Sequence, residues 1–149
     1  MMVIYMRKYF LFDMSDRYYS IYLHKERLLF RTLESLYNNE QHQKANNISL
    51  YNQLCVPINI NYLNSYFSNK SFIKNRNNKH LYISKKTNEK TLIEINYSCV
   101  IILTNKNFSR LFKVFNYYSK RMFVCDFQNQ DYFWLDNQYL NNYHNNEYN

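Results

Sequence analysis

Large apolar and aromatic side chains recur every three to four residues in five stretches of the chain, which is the spacing of a helix face. The longest such face is predicted over 25–37, and the most strongly amphipathic one follows Asn105, a residue suited to cap its first turn. These two faces consist of Leu29, Leu33, Leu36 and Tyr37, and of Phe108, Leu111, Phe112, Phe115 and Tyr118. Shorter helices are predicted over 16–23 with Ser15 as cap, over 49–55 before Pro57, and over 59–67.

Other aromatic and β-branched runs have the length of strands. They are a first strand at 7–13, a hairpin of 81–86 with 91–97, a strand or strand extension at 99–103, and a closing hairpin of 121–127 with 131–135. The Lys- and Asn-rich stretch 68–79 is predicted to be a loop, and Trp134 is expected to face the helix that carries Phe112 and Phe115. The pattern predicts an α+β fold with one mixed or antiparallel sheet of about four to five strands and helices packed on it.

Composition removes several classes of function. The 149 residues include no glycine. A Gly-rich phosphate loop, a dinucleotide-binding fingerprint and a nucleophile elbow all need glycine for close backbone approach, so none of them is present. Aromatic residues make up 19% of the chain, far more than a disordered protein carries. We therefore expect a folded protein outside these enzyme classes.

The ends of the chain differ from its middle. A single domain is predicted over 7–137, with flexible ends at 1–6 and 138–149. The apolar start is interrupted by Arg7 and Lys8, which is the wrong order for a signal peptide, and no later apolar run reaches the roughly 20 residues of a membrane helix. The expectation is a cytoplasmic protein.

Candidate catalytic and metal-binding groups are scattered. The three cysteines are odd in number and stand among apolar neighbours, so buried free thiols are expected at Cys55, Cys99 and Cys125. Four histidines lie at no metal-ligand spacing and are expected on the surface: His24, His42, His80 and His144. We expect no metal, no cofactor and no catalytic residue, and hence a protein that is not an enzyme.

Two acids, Glu94 and Asp126, fall inside predicted strands, where acids are disfavoured. They could face each other across the sheet as paired general acids. The favoured alternative is that each occupies a solvent-facing or strand-end position, or pairs with a Lys or Arg.

The formal net charge of +8 leaves a second class of function open. The basic residues are scattered, with one modest cluster formed by Lys70, Lys74, Arg76 and Lys79. A solvated basic loop is the favoured interpretation, because nucleic-acid footprints concentrate charge on one face. The alternative is a small basic nucleic-acid-binding protein that uses the region 70–90.

The first helix is unusually aromatic, with the sequence Y-Y-S-I-Y-L from Tyr18 to Leu23. Its pairs Tyr18/Tyr22 and Tyr19/Leu23 lie four residues apart on neighbouring stripes. So many large side chains on a short helix either cover the core from several sides or meet a partner. Exposed tyrosine is a favoured interface residue because it offers a large rigid area and a polar tip.

The order of these elements resembles the sporulation inhibitor of replication (SirA) family. The resemblance rests on Y-F-L-F-D-M and the aromatic helix after it, on V-P-I-N-I at 56–60, on L-I-E-I at 92–95 and on C-D-F-Q-N-Q-D-Y-F-W-L at 125–135. It covers about 7–137. The chain departs from the family in carrying Asp136-Asn137 where a proline commonly follows the W-L pair, and in a few extra residues around 98–103.

The resemblance implies a partner and a site. Such proteins bind the N-terminal domain of DnaA, the bacterial replication initiator, through an apolar helical surface and so block initiation. Two aromatic residues of that surface correspond to Tyr18 and Tyr22, and a further polar contact has Asn52 or Gln53 as its nearest counterpart. The function expected by resemblance is therefore a protein-binding inhibitor of replication initiation.

Overall fold

The computed structural model describes residues 7–38 and 44–136 and shows an α+β fold built on one antiparallel sheet. The described residues form β1 (Arg7–Asp13), α1 (Asp16–Tyr22), α2 (Glu26–Asn38), α3 (Lys44–Leu54), α4 (Ile60–Ser68), β2 (Ile73–Arg76), β3 (Lys79–Ser84), β4 (Glu89–Ile95), β5 (Val100–Thr104), α5 (Phe112–Tyr118), β6 (Met122–Asp126) and β7 (Asp131–Trp134). The predicted fold class is confirmed. The predicted number of strands is wrong, because the sheet has seven strands in the order β2-β3-β4-β5-β1-β6-β7.

β1 runs through the interior of the sheet between β5 and β6, and both of its faces are covered. Tyr9 and Leu11 point into a core formed with α4 and α5, which we call the α5 face. Phe10 and Phe12 point into a second core formed with α1, α2 and the end of α3, which we call the α1 face. Two covered faces explain why β1 reads as a continuous apolar run rather than an alternation.

The strand missed by the sequence pattern is β2, at the edge of the sheet, in the stretch predicted to be a loop. Of its four residues only Ile73 is buried, so its sequence lacks the apolar alternation of a strand. β2 returns into β3 through a tight turn at Asn77, whose φ of 56° lies in the left-handed region. Asparagine tolerates that conformation better than most residues, and here it takes the place of the glycine that the chain lacks.

The amphipathic helix α5 begins later than predicted. Asn105 does not cap it: the Asn105 side chain accepts a hydrogen bond from the Lys90 backbone N–H at 2.9 Å and donates to the Asn88 carbonyl at 2.9 Å. The helix starts at Phe112. The preceding residues Phe108 and Leu111 are buried as predicted, in an irregular turn rather than a helix.

That turn is held by Glu89, a residue predicted to lie in a hairpin loop. Glu89 is buried as the first residue of β4, and one carboxylate oxygen accepts from the hydroxyls of Thr91 at 2.5 Å and Ser109 at 2.6 Å. Its other oxygen accepts from the Arg110 backbone N–H at 3.2 Å. These tertiary hydrogen bonds satisfy a buried carboxylate and fix the chain just before α5.

Trp134 lies on the opposite side of the sheet from the predicted one. Its ring centroid is 4.9 Å from that of Tyr19 and 4.7 Å from that of Phe123, both on the α1 face. Its neighbour Phe133 takes the predicted place, 6.1 Å from Phe112. Side chains alternate between the two faces along a strand, so an error of one position in the predicted orientation assigned Trp134 to the wrong core.

Candidate partner-binding surface

Helix α1 is attached to the end of α3 by its first residues. Ser15 stands at the N-cap position, but its side chain makes no capping hydrogen bond, contrary to the prediction. Instead its hydroxyl donates to the Gln53 carbonyl at 3.2 Å, and its backbone N–H donates to the Leu54 carbonyl at 2.8 Å. The start of α1 and the last turn of α3 therefore lie side by side on the α1 face.

The predicted pair Tyr18 and Tyr22 forms one aromatic unit on α1. The two rings stack with centroids 6.4 Å apart and an angle of 27° between their planes. The Arg17 guanidinium lies 5.7 Å from the Tyr18 ring centroid. Both tyrosines are half-buried against the core of the α1 face, so each has one side supported by the fold and another accessible to solvent.

Tyr19, from the other predicted stripe, is partly buried against the same core as Tyr18 and Tyr22. Tyr19 packs edge to face on Trp134 and thereby holds the helix to the sheet. Ile21 is 45% exposed. α1 as a whole has no buried residue, which sets it apart from α2, where Leu29, Phe30 and Leu33 are buried.

Asn52 and Gln53, the predicted polar contacts, are exposed on the last turn of α3. Tyr51 anchors that turn, because its hydroxyl donates a hydrogen bond to the Ser98 carbonyl at 2.6 Å. Burial raises the pKa of Tyr51, so this hydroxyl keeps its proton. Leu54 is buried in the core. The Ser15–Gln53 hydrogen bond thus brings the two polar candidates to the N-terminal end of the aromatic pair.

One exposed apolar residue near this surface was not predicted. Leu28, at the start of α2, is 55% exposed and borders a shallow depression. The depression is also lined by His24, Lys25, Glu26, Arg27, Arg31 and Tyr132. The helical stripe through Leu29 and Leu33 already implied that Leu28 points away from the core, and this signal could have identified it.

The cysteines are confirmed as buried free thiols, and all three belong to the core of the α1 face. Burial raises the pKa of Cys99 to about 12, and it also raises the pKa of Cys55 and that of Cys125 well above the ordinary value of a thiol. Thiols held in the protonated form are poor nucleophiles.

The two strand acids do not meet. Asp126 is buried and accepts from the Arg7 guanidinium at 2.9 Å, whereas Glu94 lies 3.9 Å from the Lys79 ammonium. Each acid is paired with a cation, which confirms the favoured alternative over a pair of general acids.

The histidine prediction is wrong for His80, which is buried beside the Phe67 ring. Its two ring nitrogens lie 2.5 Å from the Asn75 side-chain oxygen and 2.8 Å from that of Asn64. His24 is exposed, and His42 and His144 lie outside the described residues. Within the ranges 7–38 and 44–136, no group of three His, Cys, Asp or Glu side chains could hold a metal ion.

The basic cluster lies at the β2 edge of the sheet. Lys74 and Arg76 are exposed on β2, and Lys79 contributes to the ion pair with Glu94. The Lys70 ammonium lies 4.6 Å from the Tyr66 ring centroid. In the part of the chain that the structure describes, no helix is long and apolar enough to cross a membrane.

A family match covers almost all of the chain. No curated protein matches the chain. The family model described as "Sporulation inhibitor of replication protein SirA" matches residues 7–138, which includes every helix and strand described above. The resemblance seen in the sequence motifs is thereby confirmed, and the chain belongs to the SirA family of sporulation inhibitors of replication.

Proposed function

We propose that the protein acts without catalysis, by binding the N-terminal domain of DnaA through the Tyr18–Tyr22 pair and so inhibiting replication initiation in the cytoplasm. Membership of the SirA family supports the inhibitory role. The observation that carries the site is that α1 buries none of its residues although four of its seven are aromatic or branched apolar. A helix with this composition leaves apolar area available to a partner.

The geometry of the pair suits a helix-to-helix contact. Residues four apart project from the same side of a helix and can enter one apolar groove on a partner. Tyr18 and Tyr22 are already stacked on each other and supported by the core, so their rotamers lose little freedom on binding. Pre-ordered aromatic anchors are typical interface hot spots.

Asn52 and Gln53 would form the polar rim of the interface. They lie exposed beside the start of α1, where the Ser15–Gln53 hydrogen bond fixes the spacing between α3 and α1. Interfaces commonly surround an apolar centre with such polar, solvent-accessible groups. Substitution in this rim should change affinity less than substitution of either tyrosine.

A calorimetric titration against the purified DnaA N-terminal domain tests the proposal. We expect Tyr18→Ala or Tyr22→Ala to weaken binding by about 2 kcal/mol, the scale of an aromatic hot spot. The matched control is Tyr117→Ala, which removes an exposed tyrosine from α5 on the other face of the sheet. Parent-like affinity of both α1 variants would contradict the proposed site.

Titrations with the DnaA domain and with DNA, each at two salt concentrations, distinguish this function from nucleic-acid binding. Affinity for DNA through several phosphates falls steeply with salt, whereas an apolar interface depends on salt only weakly. Salt-sensitive binding to DNA that needs Lys74 and Arg76, with no binding to the DnaA domain, would favour the basic alternative.

A further inference from the structure

A second aromatic surface lies on the α5 face, between α4 and α5. The two helices enclose a groove of about 350 Å³. Its lining includes Tyr62, Leu63 and Tyr66 from α4, and Val114, Tyr117 and Tyr118 from α5. Leu63 is fully buried, whereas Tyr62 is 51% and Tyr117 84% exposed. The described residues therefore leave a tyrosine-rich groove open to solvent.

The walls of this groove are held in place. The Tyr118 hydroxyl accepts a hydrogen bond from the Asn59 backbone N–H at 2.9 Å, and the Asn59 side chain in turn accepts from the Tyr62 N–H at 3.1 Å. The Tyr62 and Tyr118 rings stack with centroids 6.1 Å apart. A pre-ordered groove loses little conformational entropy when it takes a ligand.

The charge around the groove is positive. Lys113 lines it, and the Lys70 ammonium lies over the Tyr66 ring. The ranges 44–88 and 95–125, which supply α4, α5 and their flanking segments, contain no Asp or Glu but most of the Lys and Arg residues of the chain. Asp13, from β1, carries a carboxylate whose charge interacts with Tyr118. This carboxylate is buried and accepts a hydrogen bond from the Ser119 hydroxyl at 2.7 Å.

We propose that this groove binds an acidic peptide segment of a partner protein, with an apolar side chain seated between Tyr62 and Tyr117 and carboxylates facing Lys113 and Lys70. The aromatic lining supplies the anchor, and the surrounding cations select the sign of the ligand. The groove lies on the opposite face of the sheet from α1, so both surfaces can be occupied at once.

A peptide fits these observations better than a single-stranded nucleic acid does. Base stacking needs free aromatic faces. The Tyr62 ring stacks on Tyr118, and the Lys70 ammonium lies over the Tyr66 ring. Of the lining tyrosines this leaves Tyr117, 84% exposed, to stack a base, whereas a single strand is bound by stacking successive bases on several rings. The lining is also mostly apolar, as expected for a site that receives an aliphatic or aromatic side chain.

The test is fluorescence anisotropy on the full chain with a fluorescein-labelled 12-residue peptide, a number chosen as about three helical turns. The probe carries leucines four residues apart and glutamates elsewhere, and its matched control has lysine in place of every glutamate. We expect the acidic peptide alone to bind, with affinity falling as salt increases. Tyr117→Ala should weaken binding about tenfold, Lys113→Glu should remove most of the salt dependence, and Tyr18→Ala should leave binding unchanged.

Three results would overturn the proposal. Equal binding of the acidic and basic peptides would show that charge does not select the ligand. Displacement of the acidic peptide by a labelled oligothymidine, with the same loss in Tyr117→Ala, would make the groove a nucleic-acid site. Sedimentation showing a dimer that Tyr117→Ala dissociates would make it a contact between two copies of the chain.

Discussion

The two faces of the sheet are covered by helices in different ways. On the α5 face, both helices contribute large side chains that are fully buried, such as Leu63 and Phe67 from α4 and Phe112 and Phe115 from α5. On the α1 face, α2 is anchored in the same manner, but α1 rests on the core through half-buried tyrosines. Helix packing in this protein therefore separates α2, α4 and α5, which bury large side chains, from α1, which buries none.

The two cores also differ in their polar groups. The α5 side of the molecule contains the buried Glu89, which is fully hydrogen-bonded to the turn before α5. The α1 face contains all three cysteines. The first arrangement fixes a segment by charge-assisted hydrogen bonds, and the second fills a core with small apolar groups. We expect the two faces to respond differently to substitution.

The largest effect is expected on the α5 face. Phe112 is fully buried and contacts the rings of Tyr9, Phe108 and Phe133. Phe112→Ala should lower the free energy of unfolding by about 3–5 kcal/mol, because it leaves a cavity in a close-packed core. Urea denaturation measures the change. Tyr117→Ala on the same helix is the control and should cost less than about 0.5 kcal/mol; equal effects would contradict the assigned helix orientation.

A smaller loss is expected at Trp134, the corresponding aromatic residue of the α1 face. The side chain is half-buried between Tyr19 and Phe123, so Trp134→Ala should cost about 2–3 kcal/mol, below the range for a fully buried ring. Because Trp134 supports Tyr19, the same change should weaken binding to the DnaA domain. Trp134→Phe retains an aromatic ring and should preserve both properties. Normal binding by a folded Trp134→Ala protein would show that α1 does not depend on this support.

The two glutamates of β4 allow a comparison between a buried and a half-exposed carboxylate. Replacement of Glu89 by Ala removes the buried carboxylate that accepts from the Ser109 hydroxyl and the Arg110 N–H, and should cost about 1–3 kcal/mol. Glu94→Ala removes a half-exposed acid 3.9 Å from Lys79 and should cost less than about 1 kcal/mol. Thermal melts of the two variants give the comparison, and a larger loss at Glu94 would contradict the role assigned to the buried carboxylate.

The smallest expected effect concerns thiol reactivity on the α1 face. Burial shields the three cysteines and raises their pKa values, that of Cys99 to about 12, so at pH 8 they are protonated as well as inaccessible. Ellman's reagent should therefore label none of them rapidly in the folded protein and all three after denaturation. Selective fast labelling of Cys55, which adjoins the end of α3, would show that this end of the face opens locally.

Local patterns predicted much of this fold. β1 was predicted at its observed boundaries, and the stripe Leu29, Leu33 identified the buried side of α2, because both rest on residues near in sequence. β2 escaped detection because only Ile73 enters the core. The start of α5 escaped because it depends on Glu89, about 20 residues earlier, through side-chain hydrogen bonds that no periodicity records.

Some residues of the candidate site could likewise be predicted from the local sequence, and others could not. Tyr18 and Tyr22 are four residues apart, so the pairing of their rings follows from helix geometry and was predictable. The proximity of Gln53 to the start of α1 depends on a hydrogen bond to Ser15 across 38 positions of sequence. The residues themselves gave no sign of this contact, and Asn52 and Gln53 were identified only through the resemblance to the SirA family.

We propose that the α1 face, and not the α5 face, receives the DnaA N-terminal domain. The most direct measurement is a map of amide chemical-shift changes in the isotope-labelled full chain as the unlabelled domain is added. The changed amides should cluster in α1 and the last turn of α3, while those of α4 and α5 remain unaltered. Changes centred on Tyr62 and Tyr117, with none at Tyr18 and Tyr22, would contradict this proposal.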